Sequence, residues 1–179
     1  MNFIETALPG AYIVKLNPLT DERGMFVRTF CKREFDAVNL VSEFVQCNAS
    51  RSKLKGTLRG MHFQTVGSEE VKLIRCVRGT IQDVIVDLRP GSNTYCKYTS
   101  VILSEAGDEM LYVPAGFAHG FLTLENDCEI TYMVSNFYSS TNERGVRWND
   151  PAFNIKWNIK PSVISAKDAS HADYQKISR

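Results

Sequence analysis

The sequence has little excess charge of either sign and no long apolar run. Its 179 residues include 21 basic and 20 acidic side chains, so the formal net charge is +1. No overall field favours nucleic acid or a membrane surface, and a bound anion has to be held by local cations. The apolar runs fall short of the roughly 20 residues of a membrane span. We therefore expect neither a nucleic-acid partner nor a membrane partner.

Cysteine is sparse and unpaired. The five cysteines are odd in number, scattered, and never in a Cys-x-x-Cys pair: Cys31, Cys47, Cys76, Cys96 and Cys128. Disulfide frameworks and structural zinc sites both depend on paired or closely spaced thiols. The first five residues also lack the basic region and the long apolar core of a signal peptide. We expect free thiols and a cytoplasmic protein.

The length and composition are those of an ordinary globular domain. A chain of 179 residues with 44% hydrophobic and 23% charged residues is long enough to bury a substantial core. We find no linker, low-complexity tract or convincing internal repeat. The sequence therefore predicts a single domain over residues 1–179, in which residues 170–179 form a polar tail that wraps the surface.

Short strand-like segments fill the chain from residue 70 onward. They cover residues 71–77, 79–88, 97–104, 109–113, 117–125 and 128–137. Glycine, proline and asparagine mark the turns between them, and little helix intervenes. This spacing indicates a sandwich, jelly roll or barrel, with a cavity lined by inward side chains. Residues 79–88 are apolar on both faces, which favours a strand buried between layers.

The first fifty residues are less regular. They are predicted to form a strand over residues 11–16, a loop over 17–24, a short helix over 31–42 and a strand over 44–50. The last strand presents Gln46 and Asn48 on one face. Such a face most often meets solvent; a pocket wall is the alternative if other elements converge on it.

A short apolar run between glycines holds the most reactive side chains. Residues 56–64 read Gly-Thr-Leu-Arg-Gly-Met-His-Phe-Gln. Alternation along a strand predicts that His62 and Gln64 point to one face and Arg59 to the other. A lone strand histidine is most often a satisfied core residue, so a chemical role for His62 depends on the rest of the chain.

Further motifs follow in a fixed order. They are Asp21-Glu22-Arg23-Gly24-x-Phe26, Leu58-Arg59-Gly60-Met61-His62-Phe63-Gln64, Pro114-Ala115-Gly116-Phe117-Ala118-His119-Gly120-Phe121, Trp148-Asn149-Asp150-Pro151 and Ser165-Ala166-Lys167-Asp168. Together they resemble the dTDP-4-dehydrorhamnose 3,5-epimerase family of nucleotide-sugar enzymes. The resemblance extends from about residue 3 to residue 170, essentially the whole chain.

The resemblance implies an all-β fold, the double-stranded β-helix or cupin-type jelly roll, with short flanking helices. It also implies a homodimer with exchanged N-terminal strands, no cofactor and no metal. The three histidines, His62, His119 and His171, include no His-x-His pair of the kind that metal-binding cupins use. We therefore expect no metal site.

The resemblance further implies inversion at carbons next to the C4 ketone of a nucleotide-diphospho-4-keto-6-deoxy sugar. Such a reaction needs a base for the α-proton, a stabilised enolate and an acid on the opposite face. Motif positions assign the base to His62, with Asp168 to orient it, and the acid to Tyr132. Lys72 matches the cation expected beside the enolate oxygen. Alone, Tyr132 would be interpreted as a half-buried strand tyrosine.

Substrate binding is also inferred from the resemblance. Arg23, Arg59 and His119 match positions that hold the diphosphate and sugar, and arginine suits a bidentate grip on phosphate. The other implied contacts are Gln46 and Asn48 on the polar strand, Glu143 and Lys167, and the aromatic residues Phe26 and Tyr138 beside the base or sugar.

Three segments depart from the family pattern, and they leave alternatives open. They are Val27-Arg28, Gln46-Cys47-Asn48-Ala49 and Tyr95-Cys96-Lys97-Tyr98. Arg28 stands where a carboxylate is common, so the nucleotide could be dTDP-, GDP- or CDP-linked. A single-centre epimerase or a 3,4-ketoisomerase is a second reading. A non-catalytic sugar-nucleotide-binding cupin is the third, and it would be expected to lose the acid or the base.

Overall fold

A computed structural model describes residues 1–176 of the chain as an almost entirely β structure. The strands are β1 (Asn2–Glu5), β2 (Tyr12–Lys15), β3 (Leu19–Asp21), β4 (Gly24–Phe26), β5 (Gln46–Ser52), β6 (Thr57–Gln64) and β7 (Lys72–Arg78). They continue with β8 (Thr80–Asp87), β9 (Tyr98–Ser104), β10 (Glu109–Val113), β11 (Phe117–Thr123), β12 (Cys128–Val134), β13 (Glu143–Gly145) and β14 (Val163–Ile164). The short helices are α1 (Lys32–Asp36) and α2 (Ala166–Ala169).

The strands form two main sheets whose members interleave along the chain. The first sheet has the order β1-β2-β10-β7-β12-β5, and the second has the order β13-β6-β11-β8-β9, with β14 beside β6. Strands β6, β7 and β8 therefore alternate between the sheets, as in a jelly roll. Strands β3 and β4 form a separate hairpin. The all-β, cupin-type prediction is confirmed.

The core lies between the two sheets. Ile74 and Ile130 of the first sheet pack in one apolar cluster with Ile81, Ile85 and Phe121 of the second. Each fully buried side chain of this size contributes roughly 1.5–3 kcal/mol to the free energy of unfolding. These apolar side chains fill part of the space between the sheets. Inward polar side chains elsewhere on the same strands line a cavity.

Strand β8 is buried on both faces, as its sequence predicts. Ile81 and Ile85 face the cluster between the sheets. Val84 and Val86 face a second cluster, in which Phe153 covers the outer surface of the second sheet. The segment after β13 therefore acts as a third layer that shields the strand from water.

Two predictions near the N-terminus are wrong in their extent. The predicted helix over residues 31–42 forms only as α1, and Asn39 beyond its end has φ of 57°, a left-handed conformation that ends helices. The predicted loop over residues 17–24 contains β3 and the beginning of β4, paired in register from Leu19 to Phe26. The Asp-Glu-Arg-Gly sequence supplies the turn of this hairpin rather than an extended loop.

Two side chains of the C-terminal segment, His171 and Tyr174, are half-buried against the domain. The Tyr174 hydroxyl lies 3.0 Å from that of Tyr95, and its ring centroid lies 5.4 Å from that of Phe153. His171 is also turned inward, against Gly145. The other described residues of the tail are exposed, so only these two side chains depart from a solvated surface tail. Positions 177–179 lie outside the described residues.

Two expectations from composition can be compared directly with the structure. All five cysteines fall within residues 1–176, and each of them is a free thiol, as predicted. Within the same range, no helix has the length and apolar character needed to cross a membrane.

Candidate active site

A cavity of about 500 Å³ opens between the two sheets. The second sheet contributes Arg59, His62 and His119 to its lining, and the first sheet contributes Lys72 and Tyr132. An adjoining cavity of about 310 Å³ shares three of these residues and extends along the polar face of β5 to Gln46 and Asn48. The polar face of β5 is thus a pocket wall, which was the minority reading of the sequence.

His62 and Asp168 form a hydrogen-bonded pair on one wall of the cavity. Nε2 of His62 lies 2.8 Å from Oδ1 of Asp168. The other carboxylate oxygen accepts a hydrogen bond of 3.1 Å from the backbone N–H of Gly60. Ser165 caps α2 by accepting a hydrogen bond of 3.0 Å from the backbone N–H of Asp168. The carboxylate is therefore fixed at both oxygens and at its own backbone.

The carboxylate of Asp168 is held in its ionised form. Burial by itself would raise its pKa, but the hydrogen bonds from His62 and from the Gly60 backbone outweigh burial and lower the pKa. An ionised carboxylate that accepts the Nε2 proton leaves Nδ1 of His62 with the free lone pair. His62 lines the cavity and is 35% exposed, so its ring is accessible from the cavity.

Arg59 and His62 line the same cavity, and the prediction that they face opposite ways is wrong. The pairing of β6 with β11 changes register between these two positions. At the change the two backbones nearly touch: a Cβ on Gly60 would lie 2.5 Å from Cα of Gly120. Glycine is required at residue 60 because no side chain fits, and because its φ of 130° disfavours other residues.

Tyr132 and Lys72 lie together on the opposite wall. Their strands pair antiparallel, and Nζ of Lys72 lies 5.9 Å from the centroid of the Tyr132 ring. Burial, and then the negative charge of Glu70, raise the pKa of Tyr132. The phenol therefore stays protonated at neutral pH and can donate a proton.

Glu70 is a site residue that the sequence analysis missed. Its carboxylate pairs with the ammonium group of Lys72, and both side chains are nearly buried, at 9% and 13% exposure. Nε2 of Gln64 donates a further hydrogen bond of 3.3 Å to Glu70. The signal that could have found it is spacing, since alternate residues of an extended segment share a face.

A second histidine–carboxylate pair lies in the same cavity. Nε2 of His119 is 2.8 Å from Oδ1 of Asp83, and Asp83 is completely buried. Arg59 is oriented by its Nε–H, which donates to Oγ of Ser52 at 3.1 Å. The structure therefore brings both predicted substrate-binding residues of this wall to the cavity that holds His62.

The remaining predicted contacts form a connected rim. Oε2 of Glu143 accepts hydrogen bonds from Nζ of Lys167 at 2.6 Å and from the hydroxyl of Tyr138 at 2.9 Å. The Tyr138 backbone N–H donates to Oε1 of Gln46 at 2.7 Å. Burial opposes ionisation of Glu143, but its two hydrogen-bond donors lower its pKa. This rim is charged and partly exposed.

Arg23 and Phe26 are placed elsewhere. They line a separate cavity formed by the β3–β4 hairpin itself. Arg23 forms an ion pair of 2.6 Å with Asp21 within the hairpin, and its side chain is 85% exposed. Phe26 is 66% exposed. The described chain therefore does not unite these two predicted residues with His62.

His171 is the second residue that the sequence analysis missed as a site residue. Its ring centroid lies 6.1 Å from that of His62, with the planes nearly perpendicular. Burial, followed by the nearby His62, lowers its pKa. A second imidazole therefore lies beside His62, although the sequence has no His-x-His pair. The polar sequence around residue 171 contains no periodic signal that could have shown this contact.

The chain is similar to known proteins over nearly its whole length. The family model described as dTDP-4-dehydrorhamnose 3,5-epimerase matches residues 5–176. The dTDP-4-dehydrorhamnose 3,5-epimerase of Shigella flexneri is 43% identical to the chain over 169 residues, covering 94% of this chain and 93% of that protein.

Two solved structures are similar over nearly the whole chain. That of dTDP-4-dehydrorhamnose 3,5-epimerase from Bacillus anthracis, with TDP and PPi bound, has a TM-score of 0.94 and 37% identity, covering 97% of this chain and 99% of that one. A 3'-monoepimerase from Streptomyces bikiniensis in complex with dTDP-quinovose has a TM-score of 0.87 and 29% identity, covering 94% and 85%. With the matched motifs, these findings show that the chain belongs to the dTDP-4-dehydrorhamnose 3,5-epimerase family.

Proposed function

We propose that this protein is a nucleotide-sugar epimerase that inverts C3 and C5 of a dTDP-linked 4-keto-6-deoxy sugar by proton transfer between side chains. The observation that carries the proposal is the opposition of two groups across one cavity. His62 and Asp168 lie on the wall built by the second sheet, and Lys72 and Tyr132 lie on the wall built by the first. A base and an acid on opposite walls suit removal and return of a proton at opposite faces.

His62 is the base in this proposal. Its Nε2–H is donated to Asp168, so Nδ1 accepts the α-proton of the substrate. The imidazolium that results is stabilised by the fixed carboxylate, as in other histidine–carboxylate pairs. Because Asp168 is almost fully buried, its charge acts on the ring with little screening by water.

Lys72 stabilises the enolate in this proposal. Removal of the α-proton places negative charge on the oxygen at C4, and an ammonium group in a partly dry cavity lowers the energy of that charge. Glu70 occupies one side of the ammonium group. An ammonium has three N–H donors, so the pair with Glu70 leaves donors for the substrate oxygen.

Tyr132 delivers the proton in this proposal. Its raised pKa keeps the phenol protonated until the enolate forms. A proton delivered from the first-sheet wall reaches the carbon from the face opposite His62. Inversion then follows from the placement of the two residues on opposite walls, and proton transfer alone is sufficient.

Substrate binding in the proposal uses the cations and the rim around the cavity. Arg59 and His119 line the cavity itself. Lys167 and Glu143 form the charged rim beside it. These groups suit a diphosphate that enters past the rim with its sugar toward His62.

We further propose a homodimer in which the β3–β4 hairpin serves the neighbouring site. Arg23 and Phe26 are exposed on that hairpin, and in one chain they lie in a separate cavity. A diphosphate and a nucleotide base are ligands that a guanidinium and an aromatic ring suit. Delivery of these residues from a second chain would complete the site.

A single-centre epimerase is the second candidate function. This alternative is favoured by the similar fold of a 3'-monoepimerase. One architecture therefore occurs in enzymes that invert one carbon and in enzymes that invert two. Both α-protons flank the same ketone, and a shift in pose of about 1 Å can cost roughly 100-fold in rate.

NMR in D₂O tests the proposal. Purified protein is mixed with dTDP-4-keto-6-deoxyglucose, and deuterium entry is followed at C3 and C5. Entry at both positions with inversion is expected for the 3,5-epimerase, and entry at one position identifies the single-centre enzyme. The His62→Ala variant should retain nucleotide binding and lose exchange. Unchanged exchange in that variant would exclude His62 as the base.

A further inference from the structure

Three side chains from distant parts of the chain come together, and two of them, His62 and Asp168, line the cavity. His62 on β6, Asp168 on α2 and His171 beyond α2 each offer one ligand atom, and these atoms lie within 4.8 Å of one another. Asp168 is buried, and the two imidazoles are partly buried. Two imidazoles and a carboxylate are a common ligand set for transition metals.

Gly145 makes room for this arrangement. It lies opposite His62 in the pairing of β13 with β6. A Cβ at this position would lie 2.1 Å from Nε2 of His171 and 2.4 Å from its Cε1. The absence of a side chain at residue 145 therefore allows the imidazole of His171 to lie against the strand, next to His62.

The second imidazole also has an unused nitrogen. Nε2 of His171 is inaccessible to solvent and, among the described residues, has no hydrogen-bond partner. A buried polar atom without a partner usually costs free energy. A bound ligand at this nitrogen would offset that cost, and a metal ion held with the neighbouring His62 and Asp168 is such a ligand.

We propose that His62, Asp168 and His171 form a site for a divalent transition-metal ion of the zinc class, and that its occupation reversibly blocks the proton-abstracting histidine. The metal-binding part stands on geometry alone, and the blocking part rests on the proposed function. Water would supply the remaining coordination positions from the cavity, which the partly exposed His62 lines.

Metal binding and catalysis compete for the same ring. Nε2 of His62, the nitrogen beside Asp168, carries a proton in the hydrogen-bonded pair. A metal bound there uses the Nε2 lone pair, so the single proton of the neutral ring moves to Nδ1 and none is released overall. Nδ1 no longer has a lone pair for the α-proton of the substrate. Occupation therefore inhibits, and a chelator restores activity.

Cobalt absorption measures the site directly and does not depend on turnover. Co²⁺ bound to nitrogen and oxygen ligands in a four-coordinate site absorbs visible light, and Zn²⁺ then displaces it. We expect the His171→Asn variant to bind Co²⁺ at least about tenfold more weakly than the unmodified protein. The matched control is His119→Asn, which removes a histidine of the same cavity outside the cluster and should leave Co²⁺ affinity unchanged.

A second variant leaves every ligand in place. Gly145→Ala inserts a methyl group where the His171 ring lies, and it should also weaken Co²⁺ binding by at least about tenfold. The proposed site would be overturned if the unmodified protein with Co²⁺ showed no visible absorption. It would also be overturned if His171→Asn and Gly145→Ala bound Co²⁺ as tightly as the unmodified protein. This result is independent of whether any sugar is turned over.

The blocking part has its own test. Zn²⁺ should stop deuterium entry into the substrate in the unmodified protein, and a chelator should restore it. The half-inhibiting Zn²⁺ concentration should rise at least about tenfold in Gly145→Ala. Full turnover with the cobalt-detected site saturated would overturn the blocking role while leaving the metal site in place.

Discussion

Nε2 of His62 lies 2.8 Å from Oδ1 of Asp168, a residue 106 positions later in the chain. The contact depends on three local features: the cap that Ser165 places on α2, the Gly60 N–H that holds the second oxygen, and the register change in β6. The orientation of His62, the proposed base, is therefore set by the tertiary structure. Single substitutions can change that orientation without unfolding the protein.

Replacing the carboxylate of Asp168 by an amide should reduce kcat and spare substrate binding. In Asp168→Asn the amide oxygen can still accept from Gly60, but the side chain no longer stabilises an imidazolium at His62. We expect kcat to fall by about 10²–10⁴-fold with KM changed little. Steady-state kinetics measures both constants.

The control for that experiment is Asp173→Asn. It removes a carboxylate from the same C-terminal segment, paired with Arg147 and half exposed, and should leave kcat near that of the unmodified protein. Equal losses in both variants would mean that the segment acts by packing only.

Replacing Tyr132 by phenylalanine should uncouple exchange from inversion. His62 can still remove the α-proton and return a deuteron to the same face, but delivery from the opposite wall is lost. We therefore expect deuterium to enter the sugar while the configuration at that carbon is retained, as NMR coupling constants report. The matched control is Tyr12→Phe, on β2 and packed against Tyr112 away from the cavity. Inversion at the normal rate in Tyr132→Phe would assign the acid to another group.

Substitutions in the Glu70–Lys72 pair should affect stability and activity differently. Glu70→Gln leaves a nearly buried ammonium without its counter-charge, and we expect a loss of about 3 kcal/mol in the free energy of unfolding. Lys72→Met combined with Glu70→Gln should recover most of that stability, because both charges are gone, yet remain inactive without the cation for the enolate. Urea denaturation and kinetics measure the two effects. Recovery of activity in the double variant would exclude a catalytic role for Lys72.

The motifs predicted His62, Asp168 and Tyr132, which the structure places around one cavity, because each lies in a short stretch with distinctive neighbours. Glu70 and His171 were missed for a physical reason. A glutamate before a strand looks like any solvated charge until its partner at residue 72 is known to be buried. His171 takes its position because Gly145, on another segment, has no side chain. Neither the sequence around residue 145 nor that around residue 171 contains a pattern that shows this contact.

The fold was predicted more fully than its boundaries. The repeated apolar strands from residue 70 onward matched β7 to β12 because burial between two sheets demands such runs. The helix over 31–42 was shortened because Asn39 adopts a left-handed conformation that amphipathic spacing does not reveal. The β3–β4 hairpin was assigned to a loop, since its strands are exposed and carry no alternation.

Asp87 should make stability fall in acid. Burial opposes its charge, but hydrogen bonds from Arg89, Ser92 and Thr94 lower its pKa to about 2. A folded-state pKa below the unfolded value of about 3.9 stabilises the folded state by about 2.5 kcal/mol at neutral pH. This stability is fully present above about pH 4 and is lost as the pH falls toward 2. Thermal unfolding from pH 7 to pH 2 should show a smaller decline in Asp87→Asn, and an identical decline would contradict the assignment.

Mixing two inactive variants should restore activity if the β3–β4 hairpin serves the neighbouring site. His62→Ala lacks the base, and Arg23→Ala lacks the hairpin cation, so each should be weak alone. In a mixed dimer with exchanged hairpins, one site has the intact His62 of one chain and the intact Arg23 of the other. Random mixing then gives about a quarter of the unmodified activity, because half the dimers are mixed and each has one complete site. If the hairpin serves its own chain, neither site of the mixed dimer is complete, and activity stays at the level of the separate variants. The control is a mixture of His62→Ala with Asp168→Asn. His62 and Asp168 of one chain belong to the same site, so each site of the mixed dimer carries one lesion and no recovery is expected.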